Sequence, residues 1–206
     1  MMVDRILSPV QTLGPGRRVV VWVCGCKHIC PGCSNPELQT YDVSKKIPVL
    51  QAAQMIRAAM ENTNADGITI TGGEPFDQPG ELAALLEMLK DVCEDILVYT
   101  GYKLAELEAM RKHEIKTALS CIAALIDGPY IEAQNNGASM RGSNNQILFL
   151  FKERFRARYQ AEIDKHENKI QNFPISGGVI SVGIHKKGFR QALTGSLPGY
   201  GLEESI

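Results

Sequence analysis

Three cysteines lie close together in the sequence, at Cys26, Cys30 and Cys33. A spacing this tight places three thiols on one short loop, which cysteines that only fill a hydrophobic core have no reason to do. Thiolates are soft ligands that select zinc, copper(I) or iron-sulfur clusters. The loop is therefore predicted to hold a metal centre.

The ligand count narrows the identity of the metal. Structural zinc usually has four Cys or His ligands, commonly in two pairs far apart in the sequence, and the chain has no second Cys-x-x-Cys or His pair. His28 is a candidate fourth ligand, although it lies on the same short loop. A four-iron cluster on three thiolates leaves one iron open to a substrate or cofactor. The residues alone leave a zinc site and a reactive thiol site open beside the cluster.

A second motif, Gly72-Gly73-Glu74-Pro75, follows a short predicted strand. Its two glycines let backbone amides approach a ligand closely, and the Glu74 carboxylate can accept hydrogen bonds from an ammonium group. Taken alone, the motif is also typical of a tight turn with a solvated glutamate.

The remaining cysteines are expected to be reduced and mostly buried. Cys93 ends an apolar helical pattern and Cys121 opens an apolar, strand-like run, so both are predicted to be core thiols. Cys24 ends a β-branched run and is expected to pack inside, although its position two residues before Cys26 leaves it as a spare ligand.

The elements that must position these residues alternate between strand and helix patterns. Strands are predicted at 18–24, 67–71, 95–99, 122–126, 146–151 and 179–184, and helices at 48–60, 80–93, 104–112 and 152–172. Repeated βα units with apolar strands predict a parallel sheet covered by helices. The three-cysteine loop would follow the first of these strands, at the carboxyl edge where ligands collect in α/β folds.

The length of 206 residues fits a single domain. A complete eight-fold barrel needs about 250 residues, and the chain shows only five or six βα-like units. We therefore expect an α/β fold, a partial and open (βα) barrel with a parallel sheet, whose open side can admit a large substrate such as a protein loop. The domain would span residues 1–206, with a core at about 18–150 and a charged helix and C-terminal extension at 151–206; its tail, 197–206, is expected to be mobile.

Charge and hydropathy exclude two classes of partner. The formal net charge is -1, so no bulk basic surface favours nucleic acid. The amino terminus shows no secretory signal, and the longest apolar run, Val19 to Cys24, is too short to cross a bilayer. We expect a soluble, cytoplasmic protein that binds neither nucleic acid nor membrane.

The three-thiol spacing resembles the signature of radical S-adenosylmethionine (SAM) enzymes, and Gly72-Gly73-Glu74 looks like the Gly-Gly-Glu motif of that superfamily. Four further stretches are similar, in order and context, to anaerobic ribonucleotide reductase activating proteins: Cys30-Pro31-Gly32-Cys33, Tyr99-Thr100-Gly101-Tyr102, Asp127-Gly128-Pro129-Tyr130-Ile131 and Arg141-Gly142-Ser143-Asn144-Asn145-Gln146. The resemblance spans roughly residues 18–150. Ser34, where many members carry an aromatic residue, is a departure from it.

The resemblance implies a barrel of the radical SAM type and a specific set of cofactors. By this resemblance, Cys26, Cys30 and Cys33 bind one 4Fe-4S cluster whose fourth iron binds S-adenosylmethionine. The segment Gly72 to Glu74 would contact the methionyl amino group of that cofactor.

Three further site residues are implied in the same way. By the resemblance, Thr100 and Asp127 lie at strand ends near the cofactor, and Arg141 lies near the cofactor or the docking partner. From the residues alone, Thr100 and Asp127 are equally typical of turns, and Arg141 of a surface charge.

The resemblance also implies an activity and its partners. Reductive cleavage of SAM would give methionine and a 5′-deoxyadenosyl radical, which takes a hydrogen atom from a backbone glycine of the glycyl-radical subunit of anaerobic ribonucleotide reductase. A flavodoxin-like or other one-electron donor would supply the electron. Two alternatives stay open: a radical SAM enzyme acting on a small molecule or another glycyl-radical enzyme, and a non-enzymatic iron-sulfur or zinc protein.

Overall fold

The computed structural model describes residues 1–165, 169–175 and 178–185. Its main sheet has six strands in sequence order: β1 (Val3–Val10), β2 (Arg18–Val23), β3 (Gly67–Gly72), β4 (Ile96–Tyr99), β5 (Ala124–Asp127) and β6 (Ile147–Leu150). Strands β2 to β5 pair in parallel, whereas β1 and β6 pair antiparallel with their neighbours at the two edges. The predicted α/β class and open sheet are confirmed, and the two antiparallel edge strands depart from the wholly parallel sheet that the sequence predicted.

The described residues also contain five α-helices and one hairpin: α1 (Val49–Thr63), α2 (Pro79–Leu89), α3 (Leu104–Ala109), α4 (His113–Cys121), α5 (Arg156–Ile163), and the antiparallel pair β7 (Ile170–Ile175) and β8 (Gly178–Gly183). Five short 3-10 helices lie between these elements, at Pro36–Leu38, Val43–Lys45, Pro75–Asp77, Glu132–Gln134 and Glu153–Phe155. In α1 the buried side chains recur at helical spacing, and the helix ends at Asn64 in the left-handed conformation, with a φ of 47°. Helix α2 begins at Pro79, where the missing N–H costs little. The sequence predicted both helices within a few residues.

The sheet is covered on both faces. Alternate residues of β2 point to opposite sides, so Val19 and Val21 pack with α1 and α2, and Val20 and Trp22 pack with the hairpin. Every β2 residue is buried, which explains its unbroken apolar run, since a strand in a parallel sheet is enclosed on both faces. Each such side chain contributes about 1.5–3 kcal/mol when fully buried.

A buried ion pair closes the end of the sheet opposite to the strand carboxyl ends. Arg18 and Asp95 are 0% and 2% exposed, and the guanidinium lies 3.2 Å from the carboxylate. The hydroxyl of Tyr159 in α5 donates to the same carboxylate over 2.7 Å. Removing one partner of such a buried group costs more than the bond itself contributes, because the other partner is left unpaired. Helix α5 is thereby fastened to the sheet.

Two elements of the fold have no clear signal in the sequence. Strand β1 is interrupted by polar residues and Pro9, and it pairs with β2 at the sheet edge. Helix α4 follows α3 after only a short turn, so Cys121 ends a helix and does not open a strand, although it is buried as predicted. Cys24 and Cys93 are also buried, and all six cysteines are free thiols.

The prediction of one helix over 152–172 is wrong. Tyr159 and Ile163 do pack on the sheet from α5, and Phe155 from the 3-10 helix just before it, as the apolar spacing indicates. Ile170, which continues the same spacing, instead begins β7, because β-branched and aromatic residues there pair across a six-residue ladder with β8. The tail at 197–206 lies outside the described residues. Within the described parts of the chain, every helix is too short or too polar to span a membrane.

Candidate metal and cofactor site

The carboxyl ends of β2 to β5 meet at one edge of the sheet, because these strands are parallel. A cavity opens at this edge. Its lining includes three groups of predicted site residues: the cysteines of the loop after β2, Gly72 to Glu74 after β3, and Thr100 after β4.

The cluster loop, residues 25–34, carries the three predicted ligands. Cys26, Cys30 and Cys33 are partly exposed and line the cavity, whereas Cys24 is 1% exposed and packs in the core. The backbone N–H of Cys26 donates to Gln39 over 3.0 Å, which ties the start of the loop to the chain that follows it. The structure therefore separates the three candidate ligands from the spare thiol.

Backbone amides lie close to the sulfur atoms of Cys26 and Cys33. Burial raises the pKa of the Cys26 and Cys33 thiols, and nearby backbone N–H groups act in the opposite direction. One of them is the N–H of Asn35, which donates to Cys33 Sγ over 3.4 Å. Because a metal ligand must be a thiolate, cluster binding to these thiols releases protons. Hydrogen bonds to sulfur also tune the potential of an iron-sulfur cluster.

The donor set at the cavity suits an iron-sulfur cluster, since three thiols of one loop line it. Within the residues that the structure describes, no three His, Cys, Asp or Glu side chains are grouped to hold one metal ion. The thiolates of a four-iron cluster bind different irons and stand farther apart than the ligands of one tetrahedral zinc. His28, the candidate fourth zinc ligand, packs instead against the ring of Tyr102. Three cavity-facing thiols, of which Cys26 and Cys33 have backbone N–H groups nearby, therefore suit a 4Fe-4S cluster.

Gly72 and Gly73 are required by the close approach of β3 to the cluster loop. A Cβ on Gly72 would lie 2.4 Å from the carbonyl oxygen of Val23, and a Cβ on Gly73 would lie 2.4 Å from that of Gly25. Gly72 also has a φ of 108°, which strains any other residue. The N–H of Glu74 donates to the Gly25 carbonyl over 2.8 Å. These contacts bring the Gly-Gly edge directly beside the cysteines.

The Glu74 carboxylate is buried, at 1% exposure, and both of its oxygens have partners. It accepts hydrogen bonds from the N–H of Gly101 at 2.7 Å, the hydroxyl of Thr100 at 2.8 Å and the N–H of Phe76 at 2.9 Å. Burial raises the pKa of Glu74 to about 7, and these hydrogen bonds act against the shift. The carboxylate ties the end of β3 to the end of β4, and its predicted contact with a cofactor stays a prediction.

Asp77, which the sequence did not single out, holds the cluster loop from the same turn. Its side chain is 1% exposed. It accepts hydrogen bonds from the N–H of Lys27 at 3.0 Å and from the hydroxyls of Tyr41 at 2.6 Å and Tyr102 at 2.8 Å. The only signal was its position three residues after Glu74, in the 3-10 turn Pro75–Asp77.

The other predicted site residues, Thr100, Asp127 and Arg141, differ in whether they line the cavity. Thr100 is 4% exposed and lies at the cavity. Asp127 accepts a hydrogen bond from the N–H of Leu104 at 2.7 Å, which fastens the start of α3 to the end of β5. Arg141 donates to the carbonyl of Gln146 over 3.2 Å, within its own loop. Neither Asp127 nor Arg141 is among the described residues that line the cavity, so their cofactor contacts stay predictions.

The β7–β8 hairpin forms a wall of the cavity. Ser181 and His185 line it, with Ser181 Oγ 2.9 Å from His185 Nε2. Val182 is 3% exposed and packs beside Trp22, and its carbonyl accepts a hydrogen bond from Thr12 over 3.2 Å. The sequence predicted the last strand here but gave no sign of where it would dock.

Comparisons with known proteins identify a matching family and several relatives of this chain. A family described as "4Fe-4S single cluster domain" matches residues 12–149, so the hairpin lies outside the match. An anaerobic ribonucleoside-triphosphate reductase-activating protein of Vibrio cholerae is 35% identical over 147 residues, covering 67% of this chain and 90% of that protein. The protein of the same name from Escherichia coli K12 is 32% identical over 143 residues (66% and 89%), and that from enterobacteria phage T4 is 29% identical over 154 residues (72% and 94%).

Proposed function

This chain belongs to the family of anaerobic ribonucleoside-triphosphate reductase-activating proteins, and on that basis we propose that it generates a glycyl radical on an anaerobic ribonucleotide reductase. It is thus an activating enzyme with a 4Fe-4S cluster, and SAM is the proposed second cofactor. The observation that carries the proposal is the set of three free cysteines facing one cavity beside the Gly72-Gly73 edge.

When bound, the cluster and SAM would supply reductive cleavage of the SAM bond from sulfur to C5′, with the electron coming from the proposed one-electron donor. This chemistry would give methionine and a radical able to take a hydrogen atom from a glycine α-carbon. The chain needs no general base for this reaction. Its residues have to hold the cluster, orient SAM and restrict water.

The described residues support the first two of these tasks. Cys26, Cys30 and Cys33 are the proposed cluster ligands, and three thiolates leave a position for SAM. Gly72 and Gly73 present backbone at the cavity and are the proposed contacts for the methionyl amino group. Glu74, Thr100, Asp127 and Arg141 complete the proposed cofactor surroundings; Glu74, Thr100 and Asp127 hold the strand ends in place.

The finer architecture follows from the same proposal. We take the six-stranded sheet as the open, partial barrel of the radical SAM type, and residues 1–206 as one domain. The fastening of α5 to Asp95 and of the hairpin to Trp22 supports this domain assignment, since both segments pack on the main sheet. The proposed partners are the glycyl-radical subunit of the reductase and a flavodoxin-like or other one-electron donor.

The first test is 5′-deoxyadenosine formation by anaerobically reconstituted protein with SAM and a reductant. We expect the wild-type chain to form the nucleoside and the Cys30→Ala variant to lose this activity. The matched control is Cys93→Ala, because Cys93 is a core thiol away from the cavity. Unchanged cleavage by Cys30→Ala would contradict the proposal.

A further inference from the structure

The ring of His28 sits in a slot made by other elements. The slot is formed by Glu74 after β3 and by Gly101 and Tyr102 after β4. The His28 and Tyr102 rings meet edge to face, with centroids 4.4 Å apart. His28 Nε2 is buried 3.5 Å from Glu74 Oε2, without the geometry of a hydrogen bond. Packing against these neighbours therefore positions the His28 ring more than hydrogen bonding does.

The slot requires glycine at position 101. A Cβ built there would lie 2.5 Å from Cδ2 of His28 and 2.9 Å from both Cγ and Nε2 of the same ring. Carbon atoms do not approach so closely, so the ring and a side chain at position 101 exclude each other. Tyr102 and Glu74 contact the ring on two sides, while the His28 side chain is 21% exposed towards the cavity, so a side chain at position 101 would displace the ring into the cavity. Gly101 and His28 are thus a matched pair.

The chain on either side of His28 is constrained as well. Asp77 accepts a hydrogen bond from the N–H of Lys27 at 3.0 Å and another from the hydroxyl of Tyr102 at 2.8 Å, so one carboxylate fixes the loop and a wall of the slot together. Ile29 has a φ of 45° and is 65% exposed. A β-branched residue in this region is strained, and such strain persists only where the surroundings over-determine the backbone.

His28 is two residues from Cys26 and two from Cys30. We propose that His28 is a positioning residue, whose ring in the slot fixes where Cys26 and Cys30 stand relative to the Gly72-Gly73 edge. This inference rests on the proposed function, because it assigns a task within the same cluster and SAM site. The inference assigns His28 a role without metal binding: the residue contacts the ends of β3 and β4 and acts on the cluster through Cys26 and Cys30.

The test compares four variants: His28→Ala, His28→Phe, Gly101→Ala and the His28→Ala/Gly101→Ala double variant. The controls are His113→Ala, an exposed histidine, and Gly80→Ala, where an added Cβ meets nothing within 4 Å. Each reconstituted protein is assayed for thermal unfolding, for iron and sulfide content, and for the change that SAM causes in the electron paramagnetic resonance (EPR) spectrum of the reduced cluster. Titrating that change gives a dissociation constant for SAM.

We expect the controls to behave as wild type and His28→Ala to bind SAM about 10–100-fold more weakly, by analogy with the loss of metal affinity or activity when a residue that orients metal ligands is removed. His28→Phe keeps a ring in the slot and should lose less than His28→Ala, in SAM affinity or in retained iron. Gly101→Ala should be as impaired as His28→Ala. The double variant should be no worse than His28→Ala, since removal of the ring leaves room for the methyl group that Gly101→Ala introduces.

Two results would overturn the inference while leaving the proposed function intact. One is a His28→Ala protein that retains wild-type iron content and SAM affinity. The other is a double variant whose defect is the product of the two single defects, which would show that the residues act independently. If the wild-type cluster shows no response to SAM, the proposed function and this inference both fail.

Discussion

Replacing Glu74 with Gln removes the titratable carboxyl group that links the ends of β3 and β4, so it tests whether protonation of that group changes the stability of the fold. Burial raises the pKa of Glu74 to about 7 from an ordinary 4.5. Between these values the folded chain binds a proton that the unfolded chain has released, so stability falls as the pH rises through this window. The contribution is fully present below about pH 4.5 and is lost once the pH passes about 7.

The size of the stability change follows from the shift in the pKa of Glu74. A difference of about 2.5 pKa units corresponds to about 3 kcal/mol, and most of it, about 2–3 kcal/mol, falls between pH 5 and pH 8. The Glu74→Gln protein has no such titration. It does lose an acceptor for the N–H of Gly101, at a cost of about 1–3 kcal/mol. That cost is the same at both pH values, so comparing them isolates the titration.

The assay is urea unfolding of the anaerobic, reduced chain at pH 5 and pH 8, for wild type, Glu74→Gln and the exposed control Glu108→Gln. Going from pH 5 to pH 8, the free energy of unfolding of wild type should fall by about 2–3 kcal/mol more than that of Glu74→Gln. The control should follow wild type. Equal pH dependence in wild type and Glu74→Gln would refute the reasoning.

Three further perturbations probe other contacts. Replacing Tyr159 with Phe removes the hydroxyl that donates to the buried Asp95 carboxylate, and urea unfolding should show a loss of about 1–3 kcal/mol. Replacing Asp77 with Ala leaves the N–H of Lys27 without its acceptor, and a chelator should remove cluster iron about 10–100-fold faster. Replacing Val182 with Asp buries an unpaired charge at a position that is 3% exposed, and a protease should cut the β7–β8 hairpin while the main sheet resists.

Each of these has a result that contradicts it. Unchanged stability of Tyr159→Phe would mean that α5 is not held by the Asp95 contact. Iron release from Asp77→Ala at the rate of the exposed control Asp91→Ala would remove the support assigned to that carboxylate. Hairpin cleavage in Val182→Asp no faster than in Val43→Asp, where the residue is 76% exposed, would argue against docking on the sheet.

Local patterns were enough for the elements that build the parallel sheet. The apolar run of β2 and the helical spacing of the buried residues in α1 and α2 can each be recognised within one short stretch of sequence. Strand β1 and helix α4 lack such patterns. Their positions depend on pairing with β2 and packing beside α2, which are tertiary contacts that no local window contains.

The candidate site also contains some residues that a local sequence pattern identifies and others that only the tertiary structure brings together. The spacing of the three cysteines is enough to predict a metal centre, because ligands on one loop are neighbours in sequence as well as in space. The partnership of His28 with Gly101 joins residues 73 positions apart, and Gly101 looked like an ordinary turn residue. Glu74 also has a role that the motif did not indicate: its carboxylate accepts hydrogen bonds from Thr100 and Gly101, and its contact with a cofactor stays a prediction.

The most direct test of the central claim follows the hydrogen atom that the reductase loses. The reconstituted protein, SAM and a one-electron reductant are mixed with an anaerobic ribonucleoside-triphosphate reductase whose glycines carry deuterium at the α-carbon. We expect an organic radical signal on the reductase by EPR and deuterium in the 5′-deoxyadenosine that forms. Formation of 5′-deoxyadenosine without deuterium, and with no radical on the reductase, would contradict the account.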